Sequence, residues 1–180
     1  MSNLSSLTPG TWNVDPTHSS LEFTVRHLMI SKVNGRFTDF AGSVTVAADP
    51  LQSSVEATVQ TASITTHDDG RDGHLRSGDF FAVDEHPQMR LVSTGLEPDG
   101  DDYVLHTQLT ICGITKPVDW ELEFEGVATD PWGAVRAGFS AEAEVSRKEW
   151  GLEWNAALET GGVVVGDKVK LSLAIEAVRA

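Results

Sequence analysis

The stretch PVDWELEFEG, residues 117–126, places Val118, Trp120, Leu122 and Phe124 at every second position and fills the gaps with Asp119, Glu121, Glu123 and Glu125. Period-two alternation belongs to a strand with one buried and one wet face, and it is incompatible with the 3.6-residue stripe of a helix. The same rhythm returns in Leu21, Phe23 and Val25, in Phe139, Ala141, Ala143 and Val145, and in Val169, Leu171, Leu173 and Ile175. Further strands are expected over roughly 34–48, 54–64, 89–97 and 102–111, about eight in all. Asp15-Pro16, Asp49-Pro50, the Pro98-Asp99-Gly100-Asp101 run, Cys112-Gly113, Asp130-Pro131 with Trp132-Gly133, and Gly161-Gly162 supply turns between them. Most of these links are hairpin length, so neighbours run antiparallel. Periodicity alone leaves a closed barrel and a two-sheet sandwich equally open. An eight-stranded barrel is wide enough either to be filled by its side chains or to hold one small ligand.

A chain of 180 residues is long enough to bury a core without disulfides or a metal and is expected to form one domain. Its 27 acidic and 13 basic residues leave a formal charge of −14, a field that repels phosphate backbones and anionic headgroups and argues against nucleic acid as a partner. The single Cys112 cannot form an internal disulfide, and MSNLSSLTPGTW has neither a basic start nor a long apolar run, so a cytoplasmic location is expected. No stretch is apolar enough to span a bilayer as a helix.

Two segments break the strand pattern, residues 66–87 and 147–166. In the first, Ser77 is read as the cap of a short helix over Asp79 to Asp84, within a region of short helical segments near 70–85. The first ten residues are expected to be loose. HDDGRDGH, residues 67–74, invites a metal reading. Read as a calcium loop from Asp68, however, it has Gly70 where an oxygen ligand is needed and Asp79 in place of the closing glutamate. Solvated charges or an Arg–Asp brace are the favoured reading, and no metal or cofactor is called for.

His27 shares the parity of Leu21, Phe23 and Val25, so it faces inward if the strand persists. It is then either a general base or a core histidine held by a backbone carbonyl. No GxSxG elbow or other local nucleophile signature is present, and Cys112 reads as a small packing residue. Trp150 and Trp154 fall in the second irregular segment, where they either plug a barrel end or line an opening.

The stretches WNVDPTHSSLEFTVRHLMISKVNGRF (12–37), RDGHLRSGDFFAVDEHP (71–87), LTICGITKPV (109–118), RKEWGLEWN (147–155) and VGDKVKLSLAIEA (165–177) together resemble the YceI-like proteins, nearly end to end. The resemblance implies a single domain over 1–180, an all-β, eight-stranded antiparallel lipocalin-like barrel. It also implies an apolar pocket for an isoprenoid chain and a carrier rather than an enzyme, often as a homodimer. On this reading Phe23, Val25, His27, Leu75, Phe80, Phe81, Trp120, Leu122, Phe139, Trp150 and Trp154 are candidate cavity residues. RDGHLRSGDFF becomes a lid that turns Leu75, Phe80 and Phe81 inward and is braced by Arg71 and Asp72. Arg71, His74 and Arg147 are the headgroup candidates among the local cations, which also include Arg76 and Lys148, and His74 is the lid residue placed closest to ligand. The strongly negative chain favours a quinone-like head over a diphosphate. Two other readings stand beside the carrier: an enzyme using His27 or His74 as acid-base group on an apolar substrate, and a filled barrel whose exposed Trp132 marks a partner surface.

Overall fold

The structure, a computed structural model, describes residues 3–158 and 162–180. Gly161 of the expected Gly161-Gly162 turn, and Met1 and Ser2 of the expected loose start, lie outside the described residues. Eleven strands are found among the described residues: β1 (Gly10–Val14), β2 (Ser20–His27), β3 (Ser31–Phe37), β4 (Phe40–Val46), β5 (Ser54–Gln60), β6 (Ile64–Thr65), β7 (Gln88–Asp99), β8 (Asp102–Ile111), β9 (Ile114–Thr129), β10 (Val135–Ser146) and β11 (Val165–Arg179). All pairings are antiparallel, and β1 bonds to both β4 and β11, which closes the sheet on itself. That pairing decides for the barrel over the sandwich.

The eleven strands make eight arms. β1 and β2 lie end to end along one edge of β11, Trp12 opposite Arg179 and Phe23 opposite Leu171. They are separated by a single 3-10 turn, Pro16–His18, capped by Asp15. β3 and β4 form the next arm, pairing in turn with β2 and β1, and β5 and β6 form the third. With β7 to β11 the ring is an eight-stranded antiparallel barrel. The β8–β9 link is a two-residue hairpin in which Cys112 (φ 51°) and Gly113 (φ 74°) both take the left-handed region, the pattern that matches strand twist.

The barrel has two dissimilar ends. At the upper end lie the β2–β3 turn, residues 66–87, the β8–β9 hairpin and residues 147–158 and 162–164. At the lower end lie the N-terminal segment and the β4–β5, β7–β8 and β9–β10 links. Leu4 and Leu7, expected to be loose, are instead buried with Trp12, Val46, Phe124, Ala137 and Ala177 in a cluster that closes this lower end. Asn3 caps their 3-10 turn by accepting from the Ser5 N–H at 3.0 Å, and the Trp12 indole donates to the Thr8 carbonyl at 3.0 Å. Two leucines with an open barrel end to fill bury more apolar surface there than in water, and that gain outweighs the entropy of ordering the segment.

The helix in the first irregular segment also differs from expectation. Helix α1 spans Asp69–Arg76 and is capped by Asp68, whose carboxylate accepts from the Arg71 N–H at 2.8 Å; Ser77 ends it instead of starting another. The Ser77 hydroxyl donates back to the His74 carbonyl at 2.6 Å. A serine hydroxyl serves either terminus, and here the three acidic groups Asp68, Asp69 and Asp72 draw the positive end of the helix to themselves.

Candidate functional site

Inside the barrel is a cavity of about 300 Å³, bounded almost wholly by apolar side chains, at the lower end of the size range of small-molecule sites. Phe23, Val25, Trp120, Leu122 and Phe139 face it from β2, β9 and β10, as their parity requires. Leu105 and Leu109 from β8, Leu91 from β7, and Leu171 and Leu173 from β11 complete the wall. The Trp120 indole, buried, donates to the Thr107 hydroxyl at 3.0 Å, and that hydroxyl donates to the Val118 carbonyl at 2.8 Å, so no polar hydrogen of this pair is left facing the cavity. Gly35 lies directly opposite Phe23, and the aromatic ring occupies the space a side chain at 35 would need: a Cβ there would meet ring carbons at 2.2 to 2.9 Å.

The upper end is covered by residues 66–87 and by Trp150 and Leu152. Phe80 and Phe81 line the cavity, and Phe81 meets Phe37 edge-on at 5.8 Å between ring centres. Leu75 packs against the same core without lining the cavity. The brace differs from a direct Arg71–Asp72 pair. Both side chains converge on Thr66: Asp72 accepts from its N–H at 2.8 Å and from its hydroxyl, while Arg71 donates to that hydroxyl oxygen at 2.7 Å and to the Thr66 carbonyl at 2.9 Å. Burial pushes the Asp72 carboxyl up, but the Thr66 donors, with Arg76 and Arg71 nearby, outweigh it and hold the group below the ordinary carboxylate range. Arg76 ties the lid to the barrel wall through the Ala62 and Ile64 carbonyls, each at 3.0 Å. Within HDDGRDGH, Asp68, Arg71 and Asp72 are thus taken up in a cap and a brace.

Trp150 is fully buried, lines the cavity and donates to the Leu109 carbonyl at 3.0 Å; it is both plug and lining. Trp154 does not line the cavity. Its ring meets His74 edge-on at 4.6 Å and Phe80 at 5.5 Å. Arg147 touches the cavity, but its guanidinium donates to the carbonyls of Leu152, Trp154 (2.9 Å) and Gly166 (2.9 Å), which fastens the irregular segment to the barrel. Burial pulls its pKa down, opposed in part by Asp167 at 3.8 Å.

The two histidines are not brought together in the cavity. His27 ends β2 opposite Ser31 and Val165, beside the irregularity between Val165 and Val169, and is not among the described lining residues. His74 contacts Asp79 at 2.8 Å and lies half-exposed between Phe80 and Trp154, outside the lining. Cys112 is half-buried with its thiol within 3.5 Å of the Phe81 carbonyl, and burial raises its pKa, which leaves it a poor nucleophile.

Sequence reasoning missed one polar cluster. Asp15, His18 and Glu176 approach closely enough to hold a cation, and Arg136 already fills that role, contacting Asp15 at 2.9 Å, Asp130 at 2.8 Å and Glu176 at 2.7 Å. Its members come from three stretches far apart in the chain, 15–18, 130–136 and Glu176, so only the fold brings them together. It lies outside the cavity.

A YceI-like domain model matches residues 12–177. A UPF0312 protein of Staphylococcus aureus is 39% identical over 169 residues, 90% of this chain and 94% of the relative. Among solved structures, Burkholderia cenocepacia BcnA superposes with a TM-score of 0.77 over 91% of this chain and 98% of its own, at 23% identity. A polyisoprenoid binding domain from Saccharophagus degradans, implicated in plant cell wall breakdown, superposes at 0.73 over 94% and 98%, at 16% identity.

Proposed function

Because the chain belongs to the YceI-like family, we propose that it is a non-catalytic carrier holding an isoprenoid-type amphiphile, a polyprenyl lipid or an isoprenoid quinone, in the barrel. The observation that carries this reading is the apolar cavity of about 300 Å³. Aliphatic and aromatic walls reward a branched hydrocarbon with about 0.8 kcal/mol per buried CH₂ and demand no polar match along the tail. The binding named for the Saccharophagus degradans domain points to the ligand class to test first.

The headgroup follows from what is left over. Arg71 and Arg147 are spent on Thr66 and on backbone carbonyls, which leaves His74 as the candidate beside the lid and favours a quinone over a diphosphate. Non-catalysis is supported by the placement of His27 and His74 outside the described lining. The lone Cys112 supports a reducing, cytoplasmic setting.

The test is organic extraction of the natively produced protein with mass spectrometry of the extract, an unrelated acidic protein being carried through in parallel. One isoprenoid or quinone per chain, absent from the control, is the expected result; a chain that yields none and takes up neither farnesol nor a short-chain ubiquinone overturns the carrier.

A further inference from the structure

Bulky apolar side chains are left in water at the turn joining β2 to β3. Met29 is 56% and Ile30 81% exposed. The Ile30 N–H donates to the His27 carbonyl at 3.2 Å, closing a four-residue turn whose central residues, Leu28 (φ 52°) and Met29 (φ 61°), both take the left-handed region. Asn-Gly is the usual occupant of such a turn, because side-chain bulk is disfavoured at positive φ. Here Leu28 is half-buried with its N–H donated to the Val164 carbonyl at 2.9 Å, while Met29 and Ile30 are kept at a strained, solvent-facing tip.

The flanks decide what the tip meets. Arg26 and Lys32 stand directly opposite each other in the β2–β3 register, both exposed. Cations just behind an apolar tip suit a bilayer interface, where apolar groups enter the acyl boundary while Lys and Arg stay at the phosphates. The same pair opposes a second copy, since two tips packed together would bring four cations into one apolar contact. The charge of −14 does not prevent this approach. Asp49, Asp99, Asp101 and Asp102 sit at the lower end of the barrel, and their field is screened beyond about 8 Å at physiological salt. Exposed acidic groups also stand at the upper end, Asp68, Asp69, Asp79 and Asp84 of the lid among them, so the attraction to an anionic surface is local, resting on Arg26 and Lys32 directly behind the tip.

We propose that the β2–β3 turn docks the protein on an anionic lipid bilayer, with Met29 and Ile30 inserted and Arg26 and Lys32 at the headgroup phosphates. The cavity wall begins beside it, since His27 pairs with Val165, and Val165 and Val25 both line the cavity. Docking therefore sets the upper end of the barrel on the membrane, whatever the cavity holds.

The test is co-sedimentation of the full chain with vesicles of phosphatidylcholine mixed with phosphatidylglycerol and with vesicles of phosphatidylcholine alone. The wild type sediments preferentially with the mixed vesicles. Replacing both Met29→Ser and Ile30→Ser weakens this at least about tenfold, and Arg26→Gln and Lys32→Gln each weaken it about fivefold on mixed vesicles only. Trp132→Ser, which removes an 87% exposed tryptophan at the opposite end, leaves it unchanged. Equal sedimentation with both vesicle types, no sedimentation at all, or an equal loss in Trp132→Ser overturns the proposal. So does a wild-type dimer in sedimentation velocity that the Met29→Ser, Ile30→Ser protein no longer forms, because the tip would then meet a second copy.

Discussion

Asp72 is a buried carboxylate, and Thr66 is what keeps it ionised, with one carboxylate oxygen taking both the backbone N–H and the hydroxyl of that residue. Truncation by Asp72→Ala orphans both donors and is expected to cost about 2 kcal/mol in chemical denaturation. Asp72→Asn keeps an acceptor in place and costs less. Because the folded carboxyl sits below its ordinary value, its ionised form adds stability that is in place above about pH 4 and drains away as pH falls through the lower folded value. The stability gap between wild type and Asp72→Asn is therefore widest near neutrality and narrows in acid; a gap that widens on acidification contradicts the assignment. Gly35 gives a second expectation. Gly35→Ala pushes the Phe23 ring off its seat, and the open space beside that ring is the cavity. The variant should lose affinity for farnesol in calorimetry while its melting temperature falls little, and Phe23→Leu combined with Gly35→Ala should restore uptake. At this scale the sequence told much about the wall and misled about its ends. Parity placed Phe23, Val25, Trp120, Leu122 and Phe139 on the cavity but also put His27 there, because alternation carries no mark of where pairing becomes irregular between Val165 and Val169.

Between strands, the irregular segment after β10 depends on one guanidinium. Arg147 gathers the carbonyls of Leu152, Trp154 and Gly166, so Arg147→Met leaves several buried acceptors without donors and is expected to cost about 3 kcal/mol. The same change should speed limited proteolysis between residues 152 and 165, with Lys148→Ala as the neutral comparison. Arg147→Lys should behave like Arg147→Met, since a single ammonium cannot reproduce the planar fork. Lost farnesol uptake with unchanged proteolysis would instead make Arg147 a ligand contact. Elements also divide by how legible they were. β8 to β10 follow from strict alternation and tight Gly-containing turns. The break between β1 and β2 is marked by Asp15-Pro16, but those between β3 and β4 and between β5 and β6 are not, because a bend within one arm preserves the apolar rhythm on either side. The lid helix fell on the wrong side of Ser77 because capping chemistry is local, and the choice between two sites was made by Asp68, Asp69 and Asp72 at the other end. The Leu4 and Leu7 plug was unreadable as well, two leucines in a polar stretch having no period to betray them.

Taken whole, the molecule pairs a barrel closed at its lower end by its own N-terminus with an interior that its side chains do not fill. An unfilled apolar space forfeits dispersion contacts along its whole lining, a cost of order several kcal/mol for a cavity of this class. Anything apolar that enters recovers part of that cost, so occupancy and stability are linked. At a free ligand concentration about a hundredfold above Kd the gain is about 2.7 kcal/mol, which for a domain of this size raises Tm by roughly 5–10 °C. Solvent-extracted protein should melt lower than native protein by a comparable margin and recover on adding the extracted lipid. Ala141, a small buried residue on β10 that lines the cavity, offers the complementary experiment. In Ala141→Phe the new ring takes the ligand's place: extracted protein should melt above extracted wild type, retain no lipid through purification and show no Tm shift on lipid addition. The two properties must move in opposite directions if the space is kept open for a ligand. If Ala141→Phe lowers stability and still carries lipid, the residue is packed too tightly for the added ring and the ligand lies elsewhere in the barrel, which would place the site nearer the lid, at Phe80, Phe81 and His74.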